Sequence, residues 1–231
     1  MRAGELDRRS RRAAAAAALV AAFRAVPAQL RDRPTGAVVA LTPPPDSRFA
    51  REVAERAADE LSGPVHQHSL RCWQWANAFA EVDGLDVDAE QLWAATMLHD
   101  LALGAPDHPD YGCFAALGAD HAARLVAAHR GQAQAEVVRA AIAGHFHPAV
   151  PAEPVARCLH SAVELDVVGY RLREVDGGLV TATESAHPRA GFGEVFTTAM
   201  RTEARLRPHS SAAVLWRAGA RVPMALNPLA R

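Results

Sequence analysis

The sequence contains no lysine, so all 25 of its fixed positive side chains are arginines. A mechanism that runs through a lysine Schiff base is therefore excluded. Cysteine is scarce. Cys72, Cys113 and Cys158 are odd in number and far apart, which makes neither a disulfide framework nor a zinc-binding spacing. Buried free thiols of a cytoplasmic protein are the reading that follows. Excess charge is missing as well: the basic residues face 26 acidic ones, and a net charge of -1 offers no surface for nucleic acid. Nor is any apolar run long enough to span a bilayer. The nearest approach, residues 13–23, is alanine-rich, weakly hydrophobic and stopped by Arg24. Preceded by Arg8, Arg9, Arg11 and Arg12, it has the outline of a secretory signal. Against export, Leu19, Val20, Phe23, Val26 and Leu30 trace one helical face, as expected of a helix packed on a domain.

What is present is a chain of 231 residues, half of them hydrophobic, enough for one domain with a full core. Strand signals are few, a short one at residues 37–41 being the best, and there is no internal repeat. Helical periodicity recurs instead. Residues 48–61 carry Phe49, Val53 and Ala57 inward behind a cap at Asp46 or Ser47. Further helices are expected over residues 66–82, 92–104, 116–129, 133–144, 153–170 and 192–206, with a short one after Ser210. Asp88 and Gln91 form a candidate capping box. Trp73 and Trp75, two apart on one helix, point to opposite sides, one into the core and the other towards a pocket or interface. The expected fold is all-α. Residues 1–44 form an N-terminal helix and Pro-rich connector, and residues 45–231 the main helical domain.

The stretch over residues 92–104 organises the rest. His99 and Asp100 stand side by side inside its apolar run, and burying a carboxylate there costs several kcal/mol unless a cation compensates. His68 on an earlier helix and Asp166, in the apolar run of residues 159–168, supply two more metal-suited groups. Two imidazoles and two carboxylates suit a divalent Fe, Zn, Mn or Co ion.

In this order, His…His-Asp…Asp, the chain resembles the HD-domain superfamily of metal-dependent phosphohydrolases, and more narrowly its cyanamide-hydratase-like branch. The motifs that carry the likeness are His68-Ser69-Leu70-Arg71, Leu98-His99-Asp100-Leu101, Gly118-Ala119-Asp120, Leu165-Asp166-Val167-Val168-Gly169 and His187-Pro188-Arg189-Ala190-Gly191-Phe192. The resemblance implies an all-helical HD bundle holding a metal through His68, His99, Asp100 and Asp166. It also places His145 near the metal, as a candidate general acid or base. Arg71, one turn beyond His68, is a candidate anion clamp or a partner of a ligating carboxylate.

Two departures narrow the expectation. The branch has Gly where this chain has Ala102, and Phe-Glu where Phe114 is followed by Ala115. Di-metal members of the superfamily carry a His at the place of Phe114, and His121 lies about two turns too far on to replace it. One metal per chain is expected. The implied reaction is hydration or hydrolysis of a small molecule, with a C–N or nitrile-like substrate favoured over a phosphomonoester, which would need more cationic donors. The competing readings are a nucleotide phosphohydrolase, a di-iron oxygenase and a non-catalytic binding protein with a metal staple. A small-molecule substrate is the only partner expected; nucleic acid and membrane are not, and the sequence leaves homo-oligomerisation open.

Overall fold

The computed structural model of the chain describes residues 1–29, 34 and 36–230, with the side chains of residues 21–29 left aside. Ser47 accepts the amide of Ala50 and starts α2 (Arg48–Glu60), which follows the N-terminal α1 (Arg8–Gln29). After α3 (Gly63–Val82), Asp88 accepts the amides of Glu90 and Gln91 and opens α4 (Ala89–Leu98). The Gln91 side chain does not return the bond but reaches Gln134, so the expected box is only half formed. A paired hairpin of α5 (Phe114–Arg130) and α6 (Gln132–Gly144) comes next, then α7 (Pro154–Val168), begun by Glu153 and ended by left-handed Gly169. The chain closes with α8 (Gly177–Ala186), α9 (Phe192–Leu206), α10 (Ser211–Arg217) and α11 (Arg221–Ala225). No named strand occurs among the described residues, and residues 37–41 are irregular. The fold is all-α.

α3 lies along α7 and α4, with α6 against both α4 and α7. This puts the metal-suited residues of three helices on one internal axis. The surrounding core holds Trp73, Trp75, Trp93, Phe79 and Ile142, and both Trp73 and Trp75 are buried, so neither serves an interface. A second cluster, with Phe114, Phe192, Phe196 and Met200, closes the α5 and α9 side.

The structure differs from the sequence reading at three further points. The central helix stops at Leu98, and residues 100–104 continue as turns bonded from Leu103 to Asp100 and from Ala105 to Ala102. α8 has no counterpart in the expected elements: its Gly177-Gly178 start and β-branched residues weaken the helical pattern, and Asp176 initiates it by accepting two amides. On α1, Leu19 and Val20 are exposed, while Ala14 is buried as the helix rests on α10 and α11. A poly-alanine face buries by close approach rather than by large side chains, which an apolar-face count misses. The side chains of Phe23 and Val26, and Leu30 and residues 31–33 and 35 of the connector, lie outside the described residues.

Candidate metal centre

Residues 68, 71, 72 and 75 of α3 fall one and two turns apart, so His68, Arg71, Cys72 and Trp75 share the face turned to α7. Across from them Asp166 is wholly buried. Its carboxylate accepts from Arg71 twice, Nε to Oδ1 and Nη2 to Oδ2, both at 2.9 Å, and from Trp75 Nε1 at 2.9 Å. Arg189, from the loop after α8, donates to Oδ1 at 2.8 Å and to the main-chain oxygen of Asp166. His68 Nδ1 lies 2.6 Å from Asp166 Oδ2. Against the penalty of burial, the guanidinium groups of Arg189 and Arg71 hold the Asp166 carboxyl well below the usual carboxylate range.

These contacts fix the tautomers. An ionised Asp166 accepts, so His68 carries its proton on Nδ1 and leaves Nε2 bare. His99, the residue that ends α4, gives Nδ1–H to Thr96 O at 2.8 Å. His145, at the end of α6, gives Nδ1–H to Ile142 O at 2.6 Å. The turn in which each histidine ends its helix therefore sets the imidazole by its own backbone. Three bare Nε2 atoms then converge on Asp100: His99 at 3.4 Å, His68 at 3.7 Å and His145 at 3.7 Å. His68 Nε2 and His99 Nε2 are 3.1 Å apart, so with no cation between them one must hold a proton and donate to the other.

Charge counting makes the same point. Arg71 and Arg189 are matched by Asp166 and by Glu184, which lies 3.9 and 3.7 Å from them. Asp100 has no such match. Both of its oxygens, and His145 Nε2, are buried without a hydrogen-bond partner among the described residues. A buried carboxylate ringed by lone pairs is a site short of one positive charge. His99 shows the strain: burial alone would lower its pKa, yet Asp100 beside it holds it above the usual value. Burial, helped by His99, pushes His145 down to about 3, so it is a neutral base at any ordinary pH. A divalent cation fits this donor set, and all the donors are nitrogen or oxygen. Cys72, within reach of His68 and His99, has its thiol pushed far up by burial and stays protonated.

The sequence-expected residues divide between those that face the gap beside Asp100 and those that face Asp166. His68, His99 and Asp100 face the gap, and His145 joins them there. Asp166 stands behind His68, with each of its carboxylate oxygens already engaged by donors. Arg71 is fully buried and gives Nη1 to the carbonyls of His187 and Pro188, at 3.1 and 3.2 Å, so four of its five N–H donors are engaged by the protein itself. Phe114 is buried edge-on to His145, and His121 is exposed. His160 turns away and donates to His147 O at 2.9 Å. The loop residues Asp107 and Tyr111 are engaged by Arg2 and Asp120, away from the cluster. Sequence reasoning missed Trp75 and Arg189 as partners of Asp166, and Phe192, whose ring stacks on His68 with centroids 4.6 Å apart. The α3 spacing from His68 to Trp75 was the available signal for the first.

Comparison with known proteins agrees with this architecture. Residues 65–168 match the family model of the HD domain. Two proteins of Saccharomyces cerevisiae, the cyanamide hydratases DDI2 and DDI3, are each 41% identical to the chain over 81 residues. That match covers 34% of this chain and 34% of each relative, so the chain spans about a third of the length of the curated relatives it matches.

Proposed function

Given an HD domain over residues 65–168, a fold of metal-dependent hydrolases, we propose that the protein is a hydratase or hydrolase of small, neutral C–N or nitrile-type molecules. The observation that carries this reading is the convergence of three bare imidazole nitrogens on the unpartnered Asp100 carboxylate. His68, His99, Asp100 and His145 would hold one divalent ion, Fe, Zn, Mn or Co. Such an ion, when bound, polarises a substrate as a Lewis acid and makes water a better nucleophile near neutral pH.

The protein's own groups then have definite tasks. Thr96 O and Ile142 O hold the His99 and His145 rings in the tautomer that presents Nε2 inward. Asp166 does the same for His68 through Nδ1, and Arg71, Arg189 and Trp75 keep that carboxylate ionised and fixed. On this reading Asp166 positions a ligand rather than being one. His145 is a Lewis base rather than a proton carrier, because a group with a pKa near 3 holds no proton to give at neutral pH.

The substrate class follows from the arginines. Phosphate esters need cationic donors at the transferring group. Arg71 and Arg189 are both anchored on Asp166, with Glu184 and main-chain oxygens beside them, so their charge is already compensated by the protein. A neutral substrate asks for none. The test is metal content by plasma mass spectrometry on protein purified without chelators. One transition-metal ion per chain is the expected result; two ions, or none after growth in metal-supplemented medium, would sink the reading.

A further inference from the structure

Two separate cavities flank the donor cluster, whose inward-facing oxygens and His145 Nε2 are themselves buried. One, of about 490 Å³, reaches Asp100 and is lined in part by Glu60, Ser62, Thr198 and Thr202. The other, of about 510 Å³, reaches His145 and differs in chemistry: its wall is formed by Val163, Val167, Phe196, Met200, Leu215 and Met224. α1 supplies its outer rim with Ala17 and Val20. Cavities of this volume hold molecules with a substantial apolar body, and an apolar wall of this extent is poorly hydrated when nothing fills it.

The wall carries one built polar point. His160 lines the cavity and is buried; its Nε2–H is committed to His147 O at 2.9 Å, which leaves Nδ1 as an acceptor. That Nδ1 has no partner among the described residues. Glu164, one turn further along α7, adds a carboxylate to the same wall. The open His160 Nδ1 accepts, so it favours a ligand that donates, while burial raises the Glu164 carboxyl and lets it act as either partner.

We propose that the apolar cavity beside His145 binds the body of the substrate. The substrate is then a neutral molecule with an extended apolar part and an N–H or O–H donor, rather than a compact one such as cyanamide. The proposal rests on the hydratase reading for the reacting end and on the cavity for the rest. The mixed-polarity cleft at Asp100 is left for water and for the polar product.

The test is calorimetric titration of ω-phenylalkanamides, from benzamide to 5-phenylpentanamide, into the zinc-loaded full chain and into the chelator-treated chain. Each added methylene buried in the cavity is expected to lower Kd about fourfold until the space is full. Ala218→Trp fills the cavity, and Val20→Trp, at an exposed rim position that leaves the core alone, narrows it; both should flatten the series. Thr198→Trp in the other cleft should leave it unchanged. His160→Phe should weaken every member about fivefold, the worth of one hydrogen bond. A flat series on the parent chain would overturn the proposal, as would a series lost in Thr198→Trp and kept in Val20→Trp. The two readings fail separately. Metal-dependent turnover of cyanamide with a flat series removes the cavity proposal alone. A length-dependent series on a chain that binds no metal removes the hydratase reading and keeps the cavity as a binding site.

Discussion

A carboxylate taken out of water needs a cation, and the two carboxylates beside His68 obtain theirs differently. Asp166 has two arginines and an indole N–H. Asp100 has only the open ends of three histidines. The difference predicts unlike losses. His145→Ala removes a donor from the gap and should abolish stoichiometric metal binding. Asp166→Asn keeps the ring of donors and should retain one ion at 10–100-fold lower affinity, the usual cost of losing a partner behind a ligand. Asp100→Ala should leave a folded helical protein that binds no ion and whose melting point no longer responds to added zinc. The parent should gain about 2.7 kcal/mol when free metal is a hundredfold above Kd. Competitive titration against a chromophoric chelator, with melting curves alongside, measures all three. Equal loss in Asp166→Asn and His145→Ala would return Asp166 to the ligand shell. At this scale His99, Asp100 and Asp166 were legible as polar residues in apolar runs, and the resemblance added His68 as their companion. The sequence could not show which carboxylate finds arginines, since Arg189 lies 23 positions from Asp166 and is joined to it only by the fold.

The helices that deliver these residues are held at their ends as much as by their faces. At the C-terminal end of α3, Asp83 receives Arg171 at 2.7 and 3.1 Å and Arg157 at 3.2 Å. Arg171 is the one non-glycine at positive φ among the described residues, at 62°, and its guanidinium lies over the Phe79 ring at 4.4 Å. A left-handed arginine costs of order 1 kcal/mol, so the backbone is held there by the contacts its side chain makes. Asp83→Asn should cost about 1 kcal/mol at neutral pH, a fall in Tm of about 2–4 °C. The bonds from Arg171 hold the Asp83 carboxyl below its ordinary value, even against burial. A depressed carboxyl stabilises the fold above its unfolded pKa and loses that contribution as pH falls through the folded one. The gap between parent and variant in urea midpoint should therefore be full at pH 7 and close below about pH 4. A gap that persisted at pH 2 would mean that Asp83 acts by packing rather than by charge. Boundaries of this kind were the least legible part of the sequence. α4 stops at Leu98, where three-residue turns from Leu101 to Leu98 and from Leu103 to Asp100 replace the helical bonding, a change that hydrophobic periodicity does not record. α8 was hidden by its two glycines and is fixed by the Asp176 cap and by contact with α3.

Across the whole molecule, the absence of lysine acquires a meaning that composition alone did not give it. Every fixed cation is an arginine, and those nearest the cluster are bound in place by carboxylates and carbonyls. Arg207, buried at the end of α9, is likewise held by Glu203 at 2.5 Å and by the carbonyls of Ala105 and Pro106. The interior is thus supplied with positive charge that cannot move to meet a phosphate. A phosphate dianion approaching Asp100 would meet a carboxylate, with the nearby guanidinium groups of Arg71 and Arg189 already turned to Asp166, whereas a neutral amide or nitrile would displace only water. The metal-loaded protein is therefore expected to release phosphate from nucleoside monophosphates or sugar phosphates at least 100-fold more slowly than it turns over its best nitrogen compound. That ratio corresponds to about 2.7 kcal/mol in transition-state stabilisation, roughly what one preorganised donor contributes. A panel of nucleotides, sugar phosphates, nitriles and amides, read by phosphate and ammonia release with product chromatography, decides it. Rapid phosphate release with no product from the nitrogen compounds would mean that Arg71 or Arg189 leaves Asp166 when substrate binds, and the phosphohydrolase reading would replace this one.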